Sequence, residues 1–563
     1  MLQPTSLAYC TNVHPGPNLT KVEENLEHFA VGVRQELQKS GDWPADVPLG
    51  VGLWLSDQAS QELLASGRLS EFRRKLEQQQ LIPITMNGFP QGNFHLDRVK
   101  HQVYLPTWWD PARRQYTSRL IEILDQLLPP GTLGSISTLP LAWSKPEPTD
   151  AEFAEAARQL SMIADQLADL EEKRGRQIVL AIEPEPGCSI TDSPSLRRFF
   201  ERWLLKQPAR QRILRYLTVC HDICHAAVMW EEQATEFAEY RQLGMRVGKV
   251  QVSSALEIDW DGKSAATKQE AVAALRSFAE DRYLHQTTVR PSSTVSPSLH
   301  EDLPALLDTV SDPSRLSGSW RVHFHVPIFH REAGVLSTTQ PEIGRCLEAL
   351  LGNPGETVGG EAFFTGHLEV ETYAWTVLPP ALRGRPLTTD IADELRYLRQ
   401  QLSVCGSALG SASTAAAVGE ATVTAVGEAT VTTVGEATVT AVGEATVTAV
   451  GEATVTEVGE ATVTEVGEAT VTEVGEATVT EVGEATVLLF AAARQILGAN
   501  SIALPLPAGA TVSTLRQLLA ERYPPLRELL ASSRFAVDQE FAEDDQIVTG
   551  AREIALIPPV SGG

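Results

Sequence analysis

Glu183 and Glu185 flank Pro184 in IEPEP, and side chains two residues apart at a strand end can face the same way. Asp222 and His225 stand in HDICH at the close of another apolar run, and Gln251 stands in KVQVSS. His323 and His325 share a face in VHFHVP, as do Glu369 and Glu371 in LEVETY. Carboxylates and imidazoles gathered at one mouth repel one another unless a divalent cation neutralises them. Oxygen and nitrogen donors of these kinds suit Zn, Mn, Mg or Fe, and their softness leaves the choice open. Each motif alone also fits a plainer role: a strand-ending turn, a helix cap, histidines bonded in a core. Four strand ends carrying such groups together favour a site. A second chemistry lies at Gly562 and Gly563. Glycines lack a Cβ, so such a tail can thread a narrow channel and present a carboxylate that is adenylated and then attacked by sulfur.

The elements that must position the first set alternate along residues 1–404. Short β-rich runs fall at 6–12, 49–56, 81–88, 133–140, 177–184, 216–222, 246–254 and 367–375. Most are separated by amphipathic stretches such as 150–174, where Phe153, Ala157, Leu160, Ala164 and Leu167 make one stripe and Thr149 can cap the start. Alternating β and α units predict a parallel sheet, and eight strands over about 400 residues suit a (β/α)8 barrel, whose strand C-termini form the mouth. The runs 283–289 and 320–329 exceed the eight slots and are expected to form an inserted hairpin or lid. The loop 88–108, with Phe94, His95 and Tyr104, is expected to cover the mouth.

Composition narrows the function classes. Of the formal charge of −26, the tract 418–487 supplies thirteen Glu and no Lys or Arg. Residues 1–417 carry 40 basic and 51 acidic residues, a poor electrostatic host for nucleic acid. No window is apolar enough to span a membrane, and no leader is expected. Six cysteines in so long a chain make no disulfide framework, so a reduced, cytoplasmic setting is expected.

The tract itself repeats V-G-E-A-T-V-T-x every eight residues, with nine glycines from Gly419 to Gly483. Glycine and β-branched residues oppose helix. An even period would keep each residue type on one face of a strand, so a small β-solenoid is one reading. A flexible acidic linker over 405–484 is the preferred one, because little apolar surface is offered for burial. Beyond it, 485–563 reads as strand, strand, a helix over 512–522 capped by Thr511, and two more strands, which predicts a β-grasp, ubiquitin-like domain.

With these motifs in view, two resemblances can be stated. Residues 1–404, through AYCTNVHPG, MNGFPQGNFH, EPEPGC, CHDICHAAV, KVQVSSAL, RVHFHVP and HLEVETYAW, resemble the EboE metabolite-traffic proteins within the sugar-isomerase-like (xylose isomerase-like) TIM barrels. The resemblance implies a barrel with a divalent-metal site and no defined reaction. It places the metal carboxylates on Glu183, Asp222 and Glu369 or Glu371, and a histidine on His225. The superfamily usually has histidine where Gln251 stands, so His323 or His325 is expected to substitute. Glu185, Gln251, His95 and His285 are then expected to contact an unknown small metabolite.

Residues 485–563, through VLLFAAARQILG, GATVSTLRQLL and ALIPPVSGG, resemble MoaD, the ThiS-like sulfur carrier of molybdopterin synthase. That resemblance implies activation of Gly563 with ATP on a MoeB-type adenylyltransferase. The resulting thiocarboxylate would serve the molybdopterin synthase large subunit in molybdenum cofactor biosynthesis. Three functions therefore compete: sulfur carriage, metal-dependent sugar or hydroxyketone isomerase chemistry, and non-catalytic metabolite binding. Met245 is the last methionine, so a separately made carrier would need another kind of start, and expansion of the repeat could have joined two reading frames.

Overall fold

A computed structural model of the chain describes residues 7–563 except 42, 45–46, 66, 94, 97, 207–208, 293–295, 353–355, 419–420, 435–436, 458–459, 474–475, 498, 508–509, 539, 549–553 and 559–563. The chain divides into two compact units, Met1–Cys405 and Gly406–Gly563.

In the first unit all eight anticipated runs are strands: β1 (Leu7–Cys10), β2 (Leu49–Trp54), β3 (Leu81–Asn87), β4 (Gly134–Thr138), β5 (Ile178–Ile182), β6 (Leu217–Asp222), β7 (Val247–Val252) and β8 (Leu368–Val370). They pair in parallel in chain order, and β8 closes the barrel by pairing both β7 and β1. Apart from half-buried Ile82 in β3, the strands are buried along their whole length, as continuous runs such as IVLAI and LGVGLW require when both faces of a parallel sheet are covered. The helix Asp150–Arg174 shows how the outer layer is set. Thr149 and Glu152 make a reciprocal capping box at its start, Gly175 ends it in the left-handed region, and Leu160, Ile163, Ala164 and Leu167 are buried.

Between β7 and β8 the chain makes more than a hairpin. Thr287–Arg290 and Ser319–Val322 do pair antiparallel, but inside a six-stranded sheet. Its other members are Ser298–His300, Leu256–Asp259, Leu336–Thr338 and Glu332–Ala333. The segment just past Val322 carries His323 and His325, so the insertion delivers two imidazoles that no barrel strand supplies.

In the second unit the tract expected to be a linker is instead written in strands: Ala412–Val418, Ala421–Val434, Ala437–Glu457, Glu460–Glu473 and Glu476–Leu489. Successive strands run parallel with a register offset of sixteen residues, two octapeptides, so that Ala421 lies beside Ala437, Glu444 beside Glu460 and Glu460 beside Glu476. The pairing between coils is a non-local term that the local composition does not contain. The last of these strands runs on into the C-terminal sheet as one element. It pairs antiparallel with Ser501–Pro507 and parallel with Ile554–Ile557, which pairs in turn with Arg534–Val537. A first strand parallel to the last, with the capped helix Val512–Arg522 between, is the β-grasp order. Its core gathers Val487, Leu489, Val512, Leu515, Leu519, Phe535 and Leu556. Two short helices, Ala491–Leu497 and Arg527–Ser532, interrupt segments that the sequence reading left as strand or loop.

Candidate metal centre

At the C-terminal mouth of the barrel, Glu183 and Glu185 follow β5, Asp222 ends β6 and Glu371 follows β8. All four are buried. Asp222 also caps the short helix Ile223–Val228, accepting from the His225 backbone N–H at 2.9 Å and from Ser253 Oγ at 2.8 Å. Its other oxygen, Oδ2, has no hydrogen-bond partner among the described residues; it stands 3.9 Å from His225 Nε2 and 3.8 Å from His325 Nε2. Ligand atoms of Glu183, Asp222 and Glu371 lie within 4.8 Å of one another, as do those of Asp222, His225 and His325, and those of Glu185, His225 and His323.

The tautomers of the three histidines follow from their other contacts. His225 Nδ1 faces the Pro184 carbonyl at 2.9 Å, and His325 Nδ1 faces the Glu371 carbonyl at 2.8 Å, so each of these nitrogens donates. Gln286 Nε2 donates to Tyr104 Oη at 3.2 Å and Glu185 Oε1 at 3.3 Å, which leaves Gln286 Oε1 to accept from His323 Nδ1 at 2.8 Å. Every Nε2 therefore offers a lone pair. His225 Nε2 and His323 Nε2 face each other at 3.1 Å, and His325 Nε2 has no hydrogen-bond partner. Converging lone pairs beside an orphaned carboxylate oxygen are what a cation or a shared proton relieves, and outer partners that fix the ring orientation are the usual support of metal-binding histidines.

The protonation of the mouth reflects the same crowding. Burial first, then repulsion from Glu371 and Asp222, pushes Glu183 well above the usual carboxylate range. Burial and the negative charges of Asp222 and Glu369 push Glu371 up to about 8. Burial also penalises the Asp222 carboxylate, but His225, His325 and two hydrogen-bond donors hold it below its ordinary value. His325 is pushed down to about 4 and His323 well down, burial being the main cause in both.

The structure separates the other expected residues from this cluster. Glu369, from β8, is fully buried one layer down, ion-paired with Lys249 and accepting from Asn87 Nδ2 at 2.9 Å. Glu369 is committed to the barrel interior, and the last-strand carboxylate at the mouth is Glu371. A Cβ on Gly52 would fall 1.2 Å from Glu369 Oε1, so only glycine in β2 leaves room for that carboxylate. Gln251 donates to Asn87 Oδ1 at 3.0 Å, in the same lower layer. His285 turns to Glu280, 3.3 Å away, and His95 lies near the Trp54 ring, with 6.1 Å between centroids. Neither lines the pocket above the cluster. Phe94 lies outside the described residues, as do Gly562 and Gly563.

Several contributors went unassigned in the sequence. Asn12 donates to Glu371 Oε1 at 2.6 Å, Gln286 sets the His323 tautomer, and Lys249 neutralises Glu369. Asn12 and Lys249 sit on strands or strand ends already identified, so their alternation with apolar neighbours was the available signal. Gln286 carried none.

The ThiS family matches residues 487–563. Over 76 residues, 14% of this chain and 79% of the relative, the chain is 37% identical to a molybdopterin synthase sulfur carrier subunit from Arabidopsis thaliana. Over 79 residues, 14% of this chain and 92% of the relative, it is 40% identical to a protein of the same name from Dictyostelium discoideum. A solved structure of a xylose isomerase-like TIM barrel protein from Mycobacterium smegmatis in complex with magnesium overlays 71% of this chain and 97% of its own, at 11% identity and a TM-score of 0.38. That last likeness is too low to speak to chemistry.

Proposed function

Through residues 487–563 this chain belongs to the ThiS family, alongside molybdopterin synthase sulfur carrier subunits, and from that footing we propose that its C-terminal domain carries sulfur for molybdopterin synthesis. The observation that carries this reading is the match of a whole β-grasp domain to relatives of that one name. In it the Gly563 carboxylate attacks the α-phosphorus of ATP on a MoeB-type partner, releasing pyrophosphate. A sulfide-level sulfur nucleophile from the donor then attacks the acyl carbon and displaces AMP, leaving a thiocarboxylate, whose sulfur passes to a cyclic pyranopterin phosphate in the molybdopterin synthase large subunit. No side chain of the carrier need act; its fold presents the tail. Incubation of the full chain with such an adenylyltransferase, ATP and a sulfur donor should convert the C-terminal peptide to its thiocarboxylate. Conversion that continues after deletion of Gly562 and Gly563 would sink the reading.

For the barrel, the convergence of the His225 and His325 Nε2 lone pairs on Asp222 Oδ2, with His323 Nε2 facing His225 Nε2, favours a second reading, an EboE-type metal site. Glu183, Asp222 and Glu371 with His325 or His225 would hold the ion. A bound divalent ion supplies Lewis acidity for a hydroxyl or carbonyl oxygen. Glu183 or Glu371, whichever is not engaged by the ion, would accept a proton from such a ligand. Elemental analysis of the full chain should find one divalent ion, lost in Glu183→Ala with Asp222→Ala. Retention of the ion in that double variant would refute the assignment. Turnover of a hydroxyketone would mark an isomerase; binding without turnover would mark a metabolite-traffic role.

A further inference from the structure

Above the cluster the pocket changes character. Phe89 and Tyr104 stack with centroids 5.7 Å apart, and Tyr283 meets Tyr373 edge to face at 5.1 Å. All four rings line the same cavity as Glu183, His325 and Glu371. The Tyr104 hydroxyl is committed to Glu185 Oε1 at 2.7 Å and its ring also stacks on Trp143 at 5.1 Å, so that residue lines the pocket with ring carbons rather than with a free oxygen. Glu185 Oε2 is buried beside these rings and has no hydrogen-bond partner among the described residues.

The pocket is also unsuited to an anion. Lys100 is the cation among its described lining residues, and its ammonium is already held by Asp302 at 2.6 Å and Asp281 at 3.5 Å. A phosphate entering the cavity would have to break that pair. It would also sit against the carboxyl groups of Glu183, Glu185 and Glu371 and near the carboxylate of Asp222, in a setting where any like charge is poorly screened.

We infer that this pocket selects an uncharged small molecule with a flat apolar ring, held among Phe89, Tyr104, Tyr283 and Tyr373, next to hydroxyl or carbonyl oxygens directed at the cluster. Glu185 Oε2 accepts a ligand hydroxyl hydrogen at the junction of the two halves. The oxygen end rests on the metal reading above; the ring end does not.

The full chain, with and without zinc, is titrated with three probes: 2-hydroxyacetophenone, dihydroxyacetone and dihydroxyacetone phosphate. The aromatic probe should bind at least about tenfold more tightly than the other two, the gain expected for burying one ring among aromatic partners. Saturation-transfer NMR should show its ring protons in closest contact. Tyr283→Leu should erase most of that preference, and Tyr373→Leu serves if the first variant fails to fold. Tightest binding of the phosphate, or equal binding of the two uncharged probes, would overturn the inference. If no zinc binds, the metal reading fails while the metal-free comparison of the same probes still decides this one.

Discussion

At the scale of single residues, the mouth of the barrel is a problem of too many lone pairs. Its solution depends on residues that never touch a ligand. Gln286 is the sharpest case: its amide is oriented by Tyr104 and Glu185, and its oxygen holds His323 Nδ1–H. Gln286→Leu frees the His323 ring to turn against His225 Nε2 and, through that ligand, is expected to lower zinc affinity about tenfold, the usual scale for losing an outer partner of a metal site. Competition against a chromogenic chelator reads the change, and unaltered affinity would show that His323 is not set by this contact. One layer down, Lys249→Met leaves Glu369 buried without its cation and should cost the barrel about 3–5 kcal/mol. Adding Glu369→Leu should restore much of that loss, since replacing both partners removes the stranded charge. Denaturant titration of the barrel transition checks both. Glu183, Asp222, His225 and His325 were legible because their types and strand-end positions are local facts. The division between Glu369 and Glu371 was not. Both share a face of β8, and only the depth of Lys249 and the missing Cβ of Gly52 decide which one reaches the mouth.

At the scale of elements, the site is assembled by segments far apart in the chain, and the last helix of the barrel unit ties them. Glu394, in Leu387–Ser411, accepts from the Ile328 backbone N–H at 3.2 Å, from Thr372 Oγ1 and from Trp375 Nε1 at 3.0 Å. It thus grips both the segment after His325 and the segment after Glu371. Burial pushes this carboxyl from 4.5 up to about 7. The sign follows from proton binding: between those values the folded chain holds a proton that the unfolded chain has released, so stability falls as pH rises. Relative to Glu394→Gln, the wild-type barrel should lose up to about 3 kcal/mol as pH goes from about 4.5 to above 7. Thermal melts of both proteins across that window test it, and a constant difference would count against it. The eight strands and the capped helix Asp150–Arg174 were readable because periodicity and caps are local. The six-stranded insertion goes beyond the expected hairpin or lid because its pairings join strands separated by long intervals, which no window of sequence displays.

At the scale of the whole molecule, one chain joins a barrel, an eight-residue repeat and a ThiS-family domain. The repeat was taken for a linker on composition, whereas its strands pair across coils.

The two proposals meet in a single polypeptide that would carry both a divalent ion in its barrel and sulfur at its C-terminus. Mass spectrometry of the full-length chain from its own cells tests it most directly, measured once under native and once under denaturing conditions. The denatured mass should include a species with one oxygen of the C-terminal carboxylate replaced by sulfur, and the native mass should exceed it by one divalent ion. A full-length chain that never carries sulfur, with the thiocarboxylate found only on a small separate carrier, would show that the two activities do not share one polypeptide.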